Sequence, residues 1–384
     1  MTRRIGIVGG GVAGLYAAWQ LASRDADEVV LLEARDRLGG RVESVSVQDP
    51  ASSKAARFDL GATWFWPAFQ PQLRAVLAEL GLSETPQFES GDALVDWSMG
   101  EPVRRAAAMP SAPPSMRLEG GMAALCAALE ARARASGCAT LTGYRVTAIS
   151  ATNDGIMMEA ENASGDPTRL EVDHVLLAVP PRLATQSIRF HPELPAAVQK
   201  QWQSVGTWMA PHAKYVAVYA SPFWRDAGLS GALRSAVGPL GEVHDASPAS
   251  GMGALFGFLS VGAPERRRAG EDAVKAACRA QLVRAFGPEA SRPVAEFLRD
   301  WATEPYTATA ADQRPGGSHA TAAPLPLHDG PWAHRLTAIG SEWSSTMPGY
   351  LAGAIEAAHQ GVAHLLNATK HPGRPSPWAP GPIA

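Results

Sequence analysis

Three glycines near the start of the chain have the spacing of a turn that binds phosphate groups. Gly9, Gly11 and Gly14 follow a GxGxxG pattern directly after the mostly apolar residues 5–8. In such a turn the first glycine permits a tight bend, the second lets the backbone approach a pyrophosphate, and the third lets the next helix pack closely. The N-terminus of that helix adds N–H donors and a partial positive charge. The pattern therefore predicts a βαβ unit that binds a dinucleotide.

A carboxylate ends the second predicted strand of this unit. Residues 28–32 read as that strand, and Glu33 follows, about 20 residues past the last glycine of the turn. A carboxylate at this place accepts hydrogen bonds from an adenosine ribose and repels the 2′-phosphate of NADP. The alternative is a glycine turn in an unrelated α/β protein. Asp25, where a turn glycine is more usual, weakens the pattern without removing it.

Composition limits the classes of protein to consider. A chain of 384 residues with 46% hydrophobic residues is expected to form two domains. Its 34 Lys and Arg nearly balance 37 Asp and Glu, so neither nucleic acid nor an anionic membrane is expected as a partner. The 3 cysteines lack a CxxC motif, which argues against a disulfide framework and a metal site. A reducing compartment, the cytoplasm, is the expected location.

The sequences of the two ends of the chain predict a buried strand at the start and a flexible tail at the end. Arg3 and Arg4 before an apolar stretch resemble a signal peptide, but glycines interrupt that stretch and no small-residue cleavage site precedes the glycine turn. A first buried strand is expected instead. No apolar stretch reaches the roughly 18 residues that a membrane span requires. Residues 371–384 are rich in proline and predict a flexible tail.

The residues that follow the second predicted strand resemble a family signature. Residues 33–41 read E-A-R-D-R-L-G-G-R, which is similar to the E-A-x-D-R-x-G-G-R signature of the flavin-dependent amine oxidases. That family includes the monoamine and polyamine oxidases, and this chain resembles a short bacterial-type member. The resemblance implies FAD rather than NAD, with Arg41 neutralising the pyrophosphate. Arg35 and Arg37 could equally be solvated surface charges.

Further segments resemble the same family along nearly the whole chain. They read D-L-G-A-T-W at 59–64, L-E-G-G-M at 118–122, Y-R-V-T-A-I at 144–149, H-V-L-L-A-V-P at 174–180, G-S-E at 340–342 and P-G-Y-L-A-G-A at 348–354. The residues that the resemblance assigns to FAD are Gly9, Gly11, Gly14, Glu33, Ala34, Arg35, Gly40, Arg41, Ala62, Thr63, Val146, Trp301, Gly340, Glu342 and Leu351. It places Val146 at the adenine, Glu342 near the ribityl phosphate, and the Leu351 backbone near the isoalloxazine ring.

The expected fold is mixed α/β and α+β. A Rossmann-type FAD-binding domain is predicted from residues 1–85, 117–186 and 300–370, and a discontinuous substrate domain of mixed sheet and helices from 86–116 and 187–299. Related oxidases carry a much longer helical insertion where this chain has residues 86–116. The pocket roof is therefore expected to be abbreviated, and either open or completed by another subunit, which leaves a homo-oligomer as an alternative.

Lys214 is the predicted catalytic residue. It begins an otherwise apolar stretch, residues 214–219, where an unpartnered lysine would be costly to bury. The segment resembles the family strand whose lysine hydrogen-bonds, through water, to flavin N5. A surface lysine at a strand end is the alternative.

The resemblance also implies a reaction. A neutral small amine loses hydride from its α-carbon to flavin N5, the imine is hydrolysed, and O2 reoxidises the flavin with release of hydrogen peroxide. Some group must accept the ammonium proton during binding. A renalase-like or desaturase-like oxidoreductase, acting on a dihydronicotinamide or a C–C bond, is one alternative. A non-catalytic FAD-fold binding protein is another, and the set of Glu33, Arg41 and Glu342 argues against it.

Substrate contacts are predicted at Tyr350, Trp64 and Trp301. Tyr350 matches one wall of the aromatic cage of monoamine oxidases. Aligning the segment that begins at Trp301 places Ala310 where a flavin-linking cysteine would stand, and Ala311 where the second cage tyrosine would be. The resemblance therefore implies non-covalent FAD and half of a cage.

Neighbours of Trp64 are candidates for the missing aromatic surface. Phe65 and Trp66 either contact the amine or pack in the core, since amines and cations favour aromatic faces. Residues 63–67 lack the arginine that amino-acid oxidases use for a substrate carboxylate. A substrate that carries a carboxylate is therefore disfavoured.

Overall fold

The computed structural model describes residues 3–23, 27–49, 55–107, 110–313 and 330–370, so the expected tail at 371–384 lies outside the described residues. The strands, in chain order, are β1 (Arg3–Val8), β2 (Asp27–Glu33), β3 (Ser44–Gln48), β4 (Ala55–Asp59), β5 (Glu84–Pro86), β6 (Asp92–Asp96), β7 (Arg104–Ala106), β8 (Met116–Leu118), β9 (Ala139–Thr142), β10 (Arg145–Ala151), β11 (Ile156–Glu161), β12 (Pro167–Val172), β13 (His174–Leu177), β14 (Arg189–His191), β15 (Ala213–Tyr219), β16 (Leu229–Ser235), β17 (Leu240–Asp245), β18 (Gly253–Leu259), β19 (Ala295–Asp300) and β20 (Leu336–Ala338).

The helices alternate with these strands. They are α1 (Val12–Ala22), α2 (Pro71–Glu79), α3 (Ala123–Ala135), α4 (Pro181–Ser187), α5 (Ala196–Ser204), α6 (Phe223–Asp226), α7 (Ala263–Ala269), α8 (Glu271–Phe286) and α9 (Leu351–Lys370). Short 3-10 turns cover Pro288–Ser291, Trp301–Thr303, Ala310–Gln313 and Ser341–Trp343.

A parallel sheet in the order β20-β13-β1-β2-β9 forms the first layer. Its central strands are buried on both faces, as expected for a sheet covered by helices. Helix α1 packs against α3 and α9 on one face. The small sheet, β12-β11-β10-β14, covers the other, where the Met158 side chain occupies the space left by Gly6. The predicted Rossmann-type architecture is confirmed.

The glycine turn between β1 and α1 forms where the spacing predicts it. Gly9 has φ +106°, a left-handed conformation that a side chain disfavours. A Cβ on Gly14 would lie 2.0 Å from the carbonyl oxygen of Gly9, so the helix can approach the turn this closely because Gly14 has no side chain. Helix α1 begins at Val12, directly after Gly11 of the turn.

A large mixed sheet, β19-β15-β18-β17-β16-β6-β7, forms the second part of the molecule. Its strands pair antiparallel except where β6 runs parallel to β16. The short segment 86–116 supplies β6 and β7 at one edge of this sheet. Lys214 is opposite Phe258 in the register, and Phe258 is opposite Glu242. These three side chains therefore follow one another across three strands on the same face.

The predicted domain division stays a proposal. The pairing of strands bears on the predicted boundary between residues 186 and 187. Strand β14 pairs with β10 in the small sheet, although residue 186 was the predicted end of the first domain's middle segment. Trp202 of α5 contacts Phe190 and Trp343, with ring centroids 6.4 and 5.4 Å away. These contacts favour a boundary near residue 205. Among the described residues, no helix is long and apolar enough to cross a membrane.

Candidate active site

Two adjoining cavities lie along the carboxyl ends of the parallel strands. The larger is about 500 Å³ and the smaller about 310 Å³, within the range of roughly 300–1,000 Å³ for small-molecule sites. The residues that line both are Gly9, Glu33, Arg35, Val179 and Tyr306. The larger cavity continues from there to the face of the large sheet that carries Lys214.

Most predicted site residues meet at these cavities. The larger is lined by Gly9, Gly11, Glu33, Arg35, Gly40, Arg41, Ala62, Thr63, Trp64, Lys214, Trp301, Gly340, Tyr350 and Leu351. Ala34 and Val146 line the smaller one. Of the predicted residues in the described ranges, Gly14 and Glu342 line neither cavity. Gly14 supports the turn from behind, and Glu342 is directed toward Arg41.

The glycine turn leaves a cradle that side chains would fill. A Cβ built on Gly11 would meet no atom closer than 4.0 Å, so it would project into the open cavity. Gly40 faces it, with its own added Cβ 3.3 Å from the Gly11 Cα. Helix α1 starts at this point, and its first turn, within the described residues 3–23, has neither an acidic residue nor a side-chain cap. Its N–H groups are therefore available to an anion, which fits a pyrophosphate.

Glu33 lies at the junction of the two cavities and is 3% exposed. Its Oε2 accepts from the Gly10 backbone N–H at 2.7 Å, and its Oε1 accepts from the Arg35 backbone N–H at 2.9 Å. The Arg35 guanidinium Nη1 donates to Oε1 at 3.3 Å. An ionised carboxylate offers about four acceptor positions, so it keeps capacity for a further donor such as a ribose hydroxyl.

Arg41 links the two halves of the chain. Its Nη1 lies 2.7 Å from Oε1 of Glu342, whose side chain is fully buried, and its Nη2 donates to Ser341 Oγ at 3.0 Å. Arg37, by contrast, pairs with Glu43 at 2.5 Å and lines neither cavity among the described residues. Arg41, rather than Arg37, is therefore placed to meet an anion in the larger cavity.

Lys214 is enclosed at the far end of the larger cavity, with 2% exposure, which excludes a surface lysine. Its Nζ donates to the Gly61 carbonyl oxygen at 3.2 Å and to Thr63 Oγ1. It also lies 4.1 Å from the centroid of the Phe256 ring. Burial lowers the pKa of Lys214 from 10.5 to about 7, with a nearby carboxylate, Asp59, opposing the shift. This amine can therefore exchange a proton near neutral pH.

An aromatic group, defined as Trp66, Trp208 and Tyr350, lines the same cavity. The Trp208 and Tyr350 rings are 6.4 Å apart at an interplanar angle of 29°, and Trp66 meets Tyr350 edge-on at 6.4 Å. Trp64 lines the cavity with its Nε1 donating to Gln87 Oε1 at 2.7 Å. Phe65 is fully buried in the core cluster under α1 and α3, so it packs in the core instead.

The cavity residues missed from the sequence include Trp208, His212 and Glu242. Trp208 is placed by the loop before β15, where its side chain covers Gly349. His212 is two residues before Lys214, so alternation along a strand would have suggested it. Glu242 depends on the register between β17 and β18, which no local pattern reveals.

Comparison with known proteins identifies the family. The sequence profile described as "Flavin containing amine oxidoreductase" matches residues 98–366, which is most of the chain. The chain belongs to this family. A second profile, an NAD(P)-binding Rossmann-like domain, matches residues 7–80. As a flavin-containing amine oxidoreductase, the protein uses a flavin to oxidise an amine, as predicted from the sequence, and it is an enzyme.

Relatives of this flavin-containing amine oxidoreductase cover most of its length. A Mycobacterium tuberculosis protein named as a flavin-containing monoamine oxidase, AofH, is 26% identical over 94% of this chain and 95% of its own. The putrescine oxidase of Kocuria rosea is 31% identical over 54% of this chain and 45% of its own. The structure of a wild-type putrescine oxidase bound to putrescine has a TM-score of 0.74 at 22% identity and covers 96% of this chain and 99% of its own. That likeness shows the shared fold.

Proposed function

We propose that this flavin-containing amine oxidoreductase binds FAD non-covalently along the two cavities and oxidises a small primary or secondary amine. O2 is the electron acceptor in this proposal, and hydrogen peroxide is released. One observation carries it: a single cavity has the glycine turn and Glu33 at one end and Lys214 with the aromatic group at the other. A dinucleotide bound at the first end therefore brings its flavin toward the second.

The lining residues support a placement for each part of FAD. The smaller cavity, with Ala34 and Val146, suits the adenine, and Glu33 at the junction suits the ribose. The cradle at Gly11, together with Arg41, suits the pyrophosphate. Helix α9 begins at Leu351, which lines the larger cavity, so the positive end of its dipole faces the electron-rich end of the ring system.

The absence of a thiol from the cavities supports non-covalent attachment. The three cysteines, all in the described ranges, are free and buried and line neither cavity. Burial raises the pKa of Cys126 to about 12, that of Cys138 to about 11, and that of Cys278 to about 12. Ala310 offers no linking atom. The unpaired thiols also favour a reducing compartment, and we propose the cytoplasm.

The chain's own groups have distinct tasks in this reaction. The bound flavin supplies the hydride acceptor. The aromatic group presents ring faces to the amine, which orients its α-carbon and excludes water from one side. Lys214, held by Gly61 and Thr63, keeps a proton-exchanging nitrogen at the reaction centre. Its pKa of about 7 lets Nζ give or take a proton without a large energetic cost.

Purified protein tests the proposal directly. It should be yellow, and denaturation should release FAD into the supernatant rather than leave flavin on the chain. Anaerobic mixing with a library of small amines should then bleach the flavin absorbance, and admission of O2 should restore it with stoichiometric peroxide. Flavin that stays with the denatured chain would contradict non-covalent binding. A flavin that no amine bleaches would contradict the substrate class.

Glu242 favours substrates with a second positive charge. It lines the larger cavity two strands from Lys214, which corresponds to about 10 Å at the usual strand spacing. One relative is named for its oxidation of putrescine, a short diamine. A diamine with its first nitrogen near the aromatic group would bring its second ammonium to Glu242. Arg234 now pairs with that carboxylate from a largely exposed position, so the two cations would compete.

Two variants, one at Glu242 and one at Arg234, test whether this carboxylate binds the second ammonium of a diamine. We expect Glu242→Gln to raise the KM for a diamine roughly 3- to 10-fold, the effect of losing a partly exposed ion pair, while the KM for a monoamine of equal length changes little. Arg234→Ala should shift the preference in the opposite direction, because it frees the carboxylate. Steady-state kinetics with butylamine and putrescine measures both. Equal effects on the two amines would remove Glu242 from recognition of the second charge.

A further inference from the structure

We propose that His212 is the group that removes the extra proton from the substrate ammonium when it enters the cavity. This inference rests on the proposed amine oxidation and assigns a residue to a step that the reaction requires. An amine must be neutral before it can lose hydride from its α-carbon, because the nitrogen lone pair has to stabilise the developing cation. Most aliphatic amines reach an enzyme protonated at neutral pH.

The position of His212 is fixed by the backbone on both sides. It directly precedes β15 and lines the larger cavity with Lys214, two residues further on. Its backbone N–H donates to the Met209 carbonyl oxygen at 3.0 Å, and its own carbonyl accepts from the Trp301 N–H at 3.0 Å. The ring nitrogen Nδ1 is enclosed and has no hydrogen-bond partner among the described residues. Nε2 is the other ring nitrogen of this cavity-lining side chain, and we assign the proton to it.

The His212 ring borders the aromatic group that is proposed to hold the amine. Its centroid is 6.3 Å from that of Trp208, which in turn stacks on Tyr350 at 6.4 Å. An amine held against these rings lies within reach of Nε2, directly or through one water molecule. The reacting nitrogen and its proton acceptor would then occupy the same side of the cavity as Lys214.

The charges around His212 keep its imidazole neutral. Burial lowers the pKa of His212 below its usual 6.5, the positive charge of Arg266 lowers it further, and a hydrogen bond with the Met209 backbone opposes the shift. Arg266 is buried on α7, paired with both oxygens of Asp300 on β19 and bonded to the Pro211 carbonyl oxygen at 2.9 Å. Lys214 and Tyr215 are the next titratable groups along the chain, on β15. The ring therefore arrives at each turnover with a vacant acceptor nitrogen.

The proton transfer is feasible because burial in the cavity also lowers the pKa of the substrate ammonium. Burial at this end of the cavity brings the pKa of the Lys214 amine down to about 7 from 10.5. A substrate amine that loses its water here meets the same penalty on its charged form. One N–H bond of the ammonium breaks, its electron pair stays on the substrate nitrogen, and a new N–H bond forms at Nε2. The imidazolium then gives that proton to solvent water before the next substrate binds.

The test uses an amine that cannot be oxidised. The compound 2-phenylpropan-2-amine has no α-hydrogen, so stopped-flow mixing with the holoenzyme reports binding alone through the flavin absorbance. In the unaltered enzyme the association rate constant should be nearly independent of pH from about 6.5 to 9, because the ammonium form itself enters and is deprotonated. In His212→Asn only the neutral amine should bind, and the rate constant should rise about tenfold per pH unit.

Further variants make the outcome decisive. His212→Gln should behave like His212→Asn, while His191→Asn, an exposed histidine on β14, should match the unaltered enzyme. A pH-independent association rate in both His212 variants would overturn the proposal. So would a steep pH dependence that appears in Lys214→Met instead, since the proton would then go to the lysine. If the unaltered enzyme shows no absorbance change at all, the proposed amine site fails rather than the role of His212.

Discussion

Lys214→Met should slow reduction of the bound flavin by an amine roughly 10²-fold or more, the usual effect of removing one preorganised polar group at a reaction centre. Methionine matches the length of lysine but cannot exchange a proton or donate to Gly61 and Thr63. The residue lies at the far end of the cavity from the phosphate cradle. Flavin content should therefore be unchanged. Anaerobic stopped flow at 450 nm or so measures the reduction rate.

The control for this variant is Lys200→Met, at an exposed position on α5. This substitution removes the same charge far from the cavities. The amine should therefore reduce its flavin at the same rate as in the unaltered enzyme. Reduction kinetics in Lys214→Met that equal those of the control would take this lysine out of the mechanism. Loss of flavin from Lys214→Met would show instead that the lysine supports the cofactor.

The same variant should change how stability depends on pH. Burial lowers the pKa of Lys214 to about 7 in the folded protein, against 10.5 for an ordinary lysine. Between these values the unfolded chain binds a proton that the folded protein does not, so stability rises with pH across this window. The unfolding free energy of the unaltered enzyme relative to Lys214→Met should therefore increase between about pH 7 and pH 10. Denaturant unfolding of both proteins at several pH values measures it, and a constant difference would contradict the buried amine.

Glu33→Ala should weaken FAD binding by about 1–3 kcal/mol, roughly 5- to 150-fold in Kd, the effect of losing a buried charged hydrogen bond. The substitution removes the acceptor proposed for the ribose. It also leaves the Gly10 N–H without its carboxylate partner beside the glycine turn. Titration of the apoprotein with FAD, followed by quenching of flavin fluorescence, gives both dissociation constants.

Glu28→Ala is the matched control, because Glu28 is an exposed residue on the same strand, β2. Its Kd for FAD should equal that of the unaltered protein. Glu33→Gln adds an intermediate case, since an amide oxygen still accepts hydrogen bonds without the charge. Equal FAD affinity in all three proteins would show that the ribose binds elsewhere.

Features that depend on local chain geometry were predictable from the sequence. The glycine turn and its two strands were predictable from spacing alone, because each glycine avoids a steric clash with residues nearby in the sequence. The alternation in Trp64-Phe65-Trp66, by contrast, depends on a bridge between Phe65 and the distant Met116, which extends the chain so that neighbouring side chains point to opposite sides. The buried lysine was predicted because its segment resembles the family strand.

Features that depend on the meeting of distant segments were not predictable in this way. Glu242 reaches the cavity through the register of β17 against β18, and β18 in turn against β15. Trp208 belongs to a loop whose path is set by contact with Gly349. Neither the hydrophobic pattern nor the family signature carries information about such pairings. The second aromatic surface was for this reason sought next to Trp64 rather than before Lys214.

The ion pair between Arg41 and Glu342 has a consequence for the order of events during synthesis. The two residues are brought together from opposite ends of the chain, and β20 and α9 complete the same region. At 5–20 residues per second a ribosome needs roughly 15–60 s to travel from the first partner to the second. During that interval the glycine turn has been synthesised, but β20 and α9, which complete the same region, have not. We therefore expect the flavin to bind only after β20 and α9 have been synthesised.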